Sequence, residues 1–320
     1  MEQWTQYWQN TTALNSFAEG QSALGYYGEL ECLWQAHLKH LARNASLLDI
    51  GTGNGGLAVL CYQYGRSLNY QWNIHAIDAA DINPLVNMYE DKAINAAISQ
   101  IKFQGNTLAE DLPYANDSFD LVCSQFAIEY ANLELALPEC IRVLKTNGKF
   151  VAMMHHQDSA IVADSSIGLR VLDLFMVESN IFLNIKKLLE LAAALILQGI
   201  NIKSSEEFNQ LNRALFQQFK QLQGHFGDEV TAKWCQQFIA SIVPLLYELT
   251  PKSPALLEDY LTQLALYRLR LMDQIKATLT AGRQHVIEQL LSNFQVKYSW
   301  ENVAIDGQMF GALLEVNKLN

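Results

Sequence analysis

The chain has no run of lysine or arginine, and its formal net charge is −11 over 320 residues. A nucleic-acid surface draws its affinity from a basic footprint that releases counterions, so no nucleic-acid partner is expected. There is no CxxC pair: Cys32, Cys61, Cys123, Cys140 and Cys235 lie far apart and read as reduced thiols. The apolar stretch Leu188–Leu197, flanked by Lys186 and Lys187, is shorter than the roughly 20 residues that cross a bilayer. It reads as a buried helix, so no membrane span is expected. Residues Met1–Trp8 match neither a signal peptide nor an Arg-rich transit sequence, and a cytoplasmic protein is the expectation. No internal repeat is visible. No histidine, cysteine or acid set has metal-ligand spacing, since His37 and His40 share a helix face without a third ligand, and no metal is expected.

What is present is a packed globular chain, 50% hydrophobic and 17% charged, long enough for one large domain or two smaller ones. Residues 1–45 are aromatic-rich, with a helix expected from about Glu29 to Leu41. Residues 46–156 alternate apolar strands with helical stretches, the pattern of a doubly wound, mostly parallel sheet. Strands are expected at Ser46–Ile50, Trp72–Asp78, Ile101–Gln104, Phe119–Ser124 and Lys149–His155, with helices at about Gly55–Tyr64, Leu85–Ala97 and Leu133–Leu144. Strand signals then vanish over residues 157–291, which read as four to six helices broken near Gly199, Gly224–Gly227, Pro251–Pro254 and Gly282. Strands return at Phe294–Trp300 and Met309–Val316 around a turn at Asp306-Gly307. The economical organisation is an α/β domain, 46–156 with 292–320, carrying a helical insertion at 157–291 and an N-terminal flap at 1–45. Within the insertion, Leu257, Leu261, Leu264, Leu271 and Ile275 recur at three- and four-residue spacing. The stripe reads as core of one subunit, with a homodimer through the insertion as the alternative.

The most informative segment is Leu47-Leu48-Asp49-Ile50-Gly51-Thr52-Gly53-Asn54-Gly55-Gly56, an apolar strand entering a glycine-rich turn before a helix. Glycines let backbone approach a ligand closely, and the helix N-terminus suits a carboxylate or phosphate. Gly51, Gly53 and Gly56 satisfy a GxGxxG spacing, and Asp78 falls where a ribose-binding acid is expected. A nicotinamide-dependent dehydrogenase is one reading of these features. Asp49 argues against it, since dehydrogenases usually keep an apolar strand end there. Further along come Gly105-Asn106-Thr107, the segment Asp111–Val122, then Ser124-Gln125-Phe126-Ala127-Ile128-Glu129-Tyr130, and Arg142–Val151.

This ordered series resembles the class I S-adenosylmethionine-dependent methyltransferases, most closely the small-molecule branch with the ubiquinone and menaquinone methyltransferases. The resemblance covers 46–156 well and the C-terminal strand pair loosely. It implies a seven-stranded Rossmann-like sheet with an antiparallel C-terminal strand, and a reaction in which S-adenosylmethionine yields S-adenosylhomocysteine. On it, Asp49, Gly51 and Gly53 line the methionine end of the cofactor, and the helix start at Asn54–Gly56 favours its carboxylate. Asp78 accepts from both ribose hydroxyls, and Asn106 or Thr107 meets the adenine. Gln125 and Phe126 lie beside the sulfonium, with Ser124 just before them. Asn106 stands where many relatives carry Asp, and Tyr130 replaces a frequent His. Asp78 could also cap a helix, Ser124 could do the same, and Phe126 could be core.

Methyl transfer from a sulfonium needs no metal, but the acceptor can need a base. His155 and His156 end the fifth strand, where ligands bind in open α/β sheets, and only one of the two can face the cleft. They are candidate catalytic residues; the alternative is that both cap the strand or bond to the insertion. The insertion reads as a lid forming an apolar acceptor pocket, with Leu172, Phe175, Met176, Phe182 and Tyr267 as candidate linings or core. Tyr7, Trp8, Phe17, Tyr26 and Tyr27 suggest an aromatic flap over the cofactor. The expected partner is a small-molecule methyl acceptor. A non-catalytic S-adenosylmethionine binder, with the insertion as an interaction module, is the remaining alternative.

Overall fold

Seven strands form one sheet in the order β3-β2-β1-β4-β5-β7-β6. They are β1 (Ser46–Ile50), β2 (Asn73–Ile77), β3 (Lys102–Gln104), β4 (Phe119–Gln125), β5 (Leu144–Met154), β6 (Val296–Ile305) and β7 (Gln308–Lys318). The computed structural model describes residues 1–17, 23–225 and 227–320. β1 to β5 pair in parallel, while β7 runs antiparallel to both β5 and β6. A dinucleotide-binding sheet of the 3-2-1-4-5-6 order has no such strand. The sheet therefore departs from the dehydrogenase pattern at its C-terminal edge.

The central strands are apolar on both sides because helices cover both faces. Leu47, Cys123, Val151 and Met153 point to one face with α2 (Gly28–Leu38), α3 (Gly56–Ser67) and α4 (Lys92–Ile98). Leu48, Ile50, Val122, Phe150 and Ala152 point to the other with α5 (Leu133–Val143) and α11 (Ala281–Leu291). α1 (Glu2–Gln9) precedes them at the N-terminus.

Some local expectations shift. The helix expected over Leu85–Ala97 is a single 3-10 turn at Pro84–Val86 followed by α4. Asp91 sets the late start, its side chain accepting from the Ala93 N–H as an N-cap. β5 begins at Leu144, five residues early, because Leu144–Lys149 forms an irregularity opposite Phe119–Leu121, with Asn147 at φ +63°. The Asp306-Gly307 turn has φ of +50° and +73°, the left-handed pair a tight hairpin requires.

The chain divides into two units, Met1–Ala163 with Asp273–Asn320, and Asp164–Met272. The N-terminal segment thus belongs to the α/β unit. So do residues 157–163 and 273–291, including α11, which buries Ile287 and Leu291 in the sheet core. The helical unit is correspondingly narrower than 157–291. It contains most of α6 (Ala160–Asp173), then α7 (Ile181–Leu197), α8 (Glu206–Gln223), α9 (Glu229–Tyr247) and most of α10 (Ser253–Ala277). Leu257, Leu264 and Leu271 of α10 are buried in this unit's own core, together with Leu172 and Phe175. Met176, Phe182 and Tyr267 pack against the same core. In α7, Leu188, Leu189, Ala192 and Ala193 are buried, and no helix of the described residues is long and apolar enough to cross a membrane.

Candidate cofactor site

β1 ends in a turn where Gly51, Gly53 and Gly55 all have positive φ, at +69°, +55° and +97°. A side chain at Gly51 would strike Ala127, and one at Gly53 would enter the Trp8 ring, so the turn demands glycine twice over. Asp49 is buried at the start of this turn and accepts from Thr52 Oγ1 at 2.7 Å. Burial pushes its carboxyl up to about 7; the Thr52 hydroxyl opposes this, and the Asp78 charge adds to it. Asp78 follows β2. Its Oδ2 accepts from the Gly53 N–H and its Oδ1 from the Ala80 N–H, both at 2.8 Å. Burial raises this carboxyl to about 6 against the pull of those two N–H groups.

The N-terminal segment closes over the glycine turn. The Trp8 ring packs where a Gly53 side chain would lie. Asn54 donates through Nδ2 to the carbonyls of Thr11 (2.9 Å) and Ala13 (3.0 Å), with the Trp8 carbonyl at 3.4 Å. It clasps the strap and is not among the cavity-lining residues. The start of α3 is capped from within the chain as well. The Gly56 N–H donates to the Leu14 carbonyl at 3.1 Å, and the Ala58 N–H faces Asp49.

The opposite wall comes from the ends of β3 and β4. Thr107 is buried and lines the cavity, whereas Asn106 is exposed, at φ +52°, with its amide donating to Asp81. Gln125 and Phe126 both line the cavity. Phe126 holds φ +54°, an uncommon conformation for an aromatic residue, and its ring stacks on His155 at 4.2 Å. Ser124 is fully buried between elements: its hydroxyl donates to the Ile50 carbonyl and accepts from the Ile128 N–H. His155 lies behind Phe126, with Nδ1 2.7 Å from Glu129 Oε1. His156 sits beside Asp158. Neither histidine lines the cavity.

The cleft holds about 1000 Å³ of space, counted together with the solvent at its open mouth. Of the expected flap residues, Trp8, Phe17 and Tyr26 line it; Tyr7 packs against Trp4 and Trp8, and Tyr27 is exposed. Sequence reasoning assigned no cofactor contact to Trp4, Thr52, Glu110 or Tyr130, all of which line the cavity. Trp4 and Tyr130 meet edge to face at 5.6 Å across sequence-distant segments, a contact with no local signal. The charged side chains in the lining are Asp49, Asp78 and Glu110, with no lysine, arginine or histidine among the described residues. Such a wall repels phosphates and attracts cations.

The fold and this site define an α/β unit with a cleft at the carboxyl ends of its strands, where ligands bind in open α/β sheets. Residues 48–152 match the family described as a methyltransferase domain. The uncharacterized methyltransferase YcgJ of Bacillus subtilis (strain 168) is 30% identical over 122 residues, covering 38% of this chain and 45% of that protein. The ubiquinone/menaquinone biosynthesis C-methyltransferase UbiE of Rickettsia massiliae (strain Mtu5) is 33% identical over 113 residues, 34% of this chain and 44% of that one. The chain thus spans less than half the length of each of these relatives. A crystal structure of the Bacillus subtilis YcgJ protein aligns over 90% of this chain and 98% of its own, at 18% identity and a TM-score of 0.35.

Proposed function

We propose that the protein transfers a methyl group from S-adenosylmethionine to a small-molecule acceptor. The observation that carries this reading is Asp78, a buried two-oxygen acceptor facing a cavity with no basic side chain among its described lining residues. Each of its oxygens keeps a lone pair beyond the backbone bond it already accepts, enough for the two hydroxyls of a ribose. A dinucleotide would instead bring a pyrophosphate against Asp49 and Asp78, an arrangement of like charges.

The residues present fit the cofactor's other parts. Asp49 offers a carboxylate to an ammonium, and Trp4, Trp8, Phe17 and Phe126 bring to the cavity aromatic rings, whose faces attract a cation. S-adenosylmethionine supplies, when bound, an electrophilic methyl group on a sulfonium. The protein's part is to bind, orient and exclude water, which accounts for large accelerations when an acceptor is held in line at ~3–3.5 Å. No imidazole or amine side chain of the described residues lines the cavity, so proton removal by a neutral nitrogen base at the reacting atom is not part of this proposal. His155 acts as a positioning residue: the Glu129 carboxylate holds its ring, and that ring backs Phe126.

The test is calorimetry with S-adenosylhomocysteine on the wild type and on Asp78→Asn. The wild type should bind. The variant, which keeps only one strong acceptor oxygen, should bind about tenfold to a hundredfold more loosely, the equivalent of roughly 1.5–3 kcal/mol. A wild type that takes up no ligand overturns the reading.

A further inference from the structure

The helix start at α3, expected to receive the cofactor's carboxylate, is already engaged: the Gly56 N–H goes to Leu14 and the Ala58 N–H to Asp49. No lysine, arginine or histidine side chain of the described lining residues offers a replacement. One side-chain donor in the lining is buried without a partner, Nε2 of Gln125.

Its direction is fixed by chemistry. The amide oxygen Oε1 accepts from Nε1 of Trp34, a fully buried indole on α2. An indole N–H can only donate, so the oxygen must face Trp34 and the NH2 group must face away from it. A flipped amide would set two donors against each other. The backbone places this group beside Asp49. In the β1–β4 pairing Asp49 is in register with Cys123, and Gln125 follows two residues later on the same face of the sheet. An acid and a neutral donor therefore stand on neighbouring strands, their Cα atoms roughly 8 Å apart by two residues of strand rise and one inter-strand spacing. That is the pattern needed by an amino-acid zwitterion, with its ammonium at the acid and its carboxylate at the amide. The NH2 end carries partial positive charge, so it is poorly placed against a sulfonium and well placed against a carboxylate.

We infer that Gln125 is the specificity-determining residue for the amino-acid end of the cofactor: its amide NH2, aimed by Trp34, donates to the ligand's carboxylate. This rests on the reading of the cleft as an S-adenosylmethionine site. It shifts Gln125 from a neighbour of the sulfonium to a reader of the carboxylate, with Trp34 as the group that orients it.

The experiment is calorimetry at pH 8 with two probes, S-adenosylhomocysteine and 5′-methylthioadenosine, which lacks the amino-acid end. Wild type, Gln125→Leu and Gln125→Glu are compared. Gln125→Glu retains an acceptor for Trp34 and so preserves the buried contact even if Gln125→Leu fails to fold. Both variants should bind S-adenosylhomocysteine at least tenfold more weakly, Gln125→Glu the more so through charge repulsion, while 5′-methylthioadenosine stays within about twofold. Unchanged affinity for S-adenosylhomocysteine, or an equal loss for both probes, overturns the inference while leaving the cofactor assignment in place. A wild type that binds neither probe removes the assignment itself, and this inference with it.

Discussion

The two units of the chain treat polar groups in opposite ways. Among its described residues the α/β unit buries four carboxylate or imidazole side chains, Asp49, Asp78, Glu129 and His155, each tied to a named partner. The described part of the helical unit buries only the hydroxyl residues Ser165, Thr231 and Ser253 among its polar side chains. Its charges pair where solvent reaches them, as in Lys186–Glu258 and Arg213–Glu206. Exposed pairs of this kind contribute little to stability, typically under about 1 kcal/mol. Buried carboxylates, by contrast, are destabilising unless something compensates them, so their concentration at one sheet edge points to a ligand-directed role. The helical unit is held by leucine and phenylalanine packing and carries no comparable chemistry among its described residues.

The sharpest way to break this comparison is at the glycine turn. Gly51→Val adds a Cβ that would lie 2.1 Å from the Ala127 Cβ, at a φ of +69° that β-branched residues avoid. The combined overpacking and backbone strain should cost roughly 2–5 kcal/mol, read as a lowered urea midpoint, and S-adenosylhomocysteine binding should disappear. A variant of wild-type stability would show that the turn tolerates what its geometry forbids.

The matching perturbation in the helical unit is Leu264→Ala. Leu264 is buried in that unit's core and borders a groove lined by Phe238, Tyr260 and Tyr267. The groove lets neighbours relax, so the loss should sit at the low end for leucine truncation, about 2 kcal/mol. Faster amide exchange in α7, α9 and α10 would report it. Affinity for S-adenosylhomocysteine should stay within about twofold, because every described residue lining the cleft belongs to the α/β unit. A large loss of affinity would mean that the helical core supports the cofactor site.

The same contrast explains what could be read from sequence. The β1 turn was legible because an acid, three positive-φ glycines and an apolar strand lie within a few consecutive residues. Asp78 was legible because it follows a strand at a familiar separation, and the α10 stripe because periodicity alone marks a buried face. Contacts set by tertiary pairing were not legible. Whether Asn106 or Thr107 faced the cleft depended on the short β3, where one residue of register exchanges inward for outward positions. Asn54 could have met a ligand, but the returning N-terminal strap presents carbonyls to it. Ser124 and His155 sit at the ends of strands, as expected of site residues. Their partners, Ile50 and Glu129, are local to the fold and draw both side chains away from the cavity.

The smallest effect is also the most diagnostic of buried charge. Asp49 rises from 3.8 to about 7 on folding and Asp78 to about 6, in both cases chiefly through burial. Between the unfolded and folded values, the native state holds protons that the unfolded chain has released, so stability falls as pH rises through this window. It levels off once both forms are ionised. Moving the ligand-free protein from pH 8 to pH 6 should therefore stabilise the α/β unit by about 1–2 kcal/mol, visible as slower amide exchange in β1 and β2. Asp49→Asn should remove most of that gain, since Asn still accepts from Thr52 without titrating. Ligand affinity should run the other way. An ammonium pairs with ionised Asp49, so S-adenosylhomocysteine should bind more tightly as pH climbs past about 7. Opposite slopes for stability and affinity, both flattened in Asp49→Asn, are what a buried acid kept for a cationic ligand requires; parallel slopes would assign Asp49 to the fold alone.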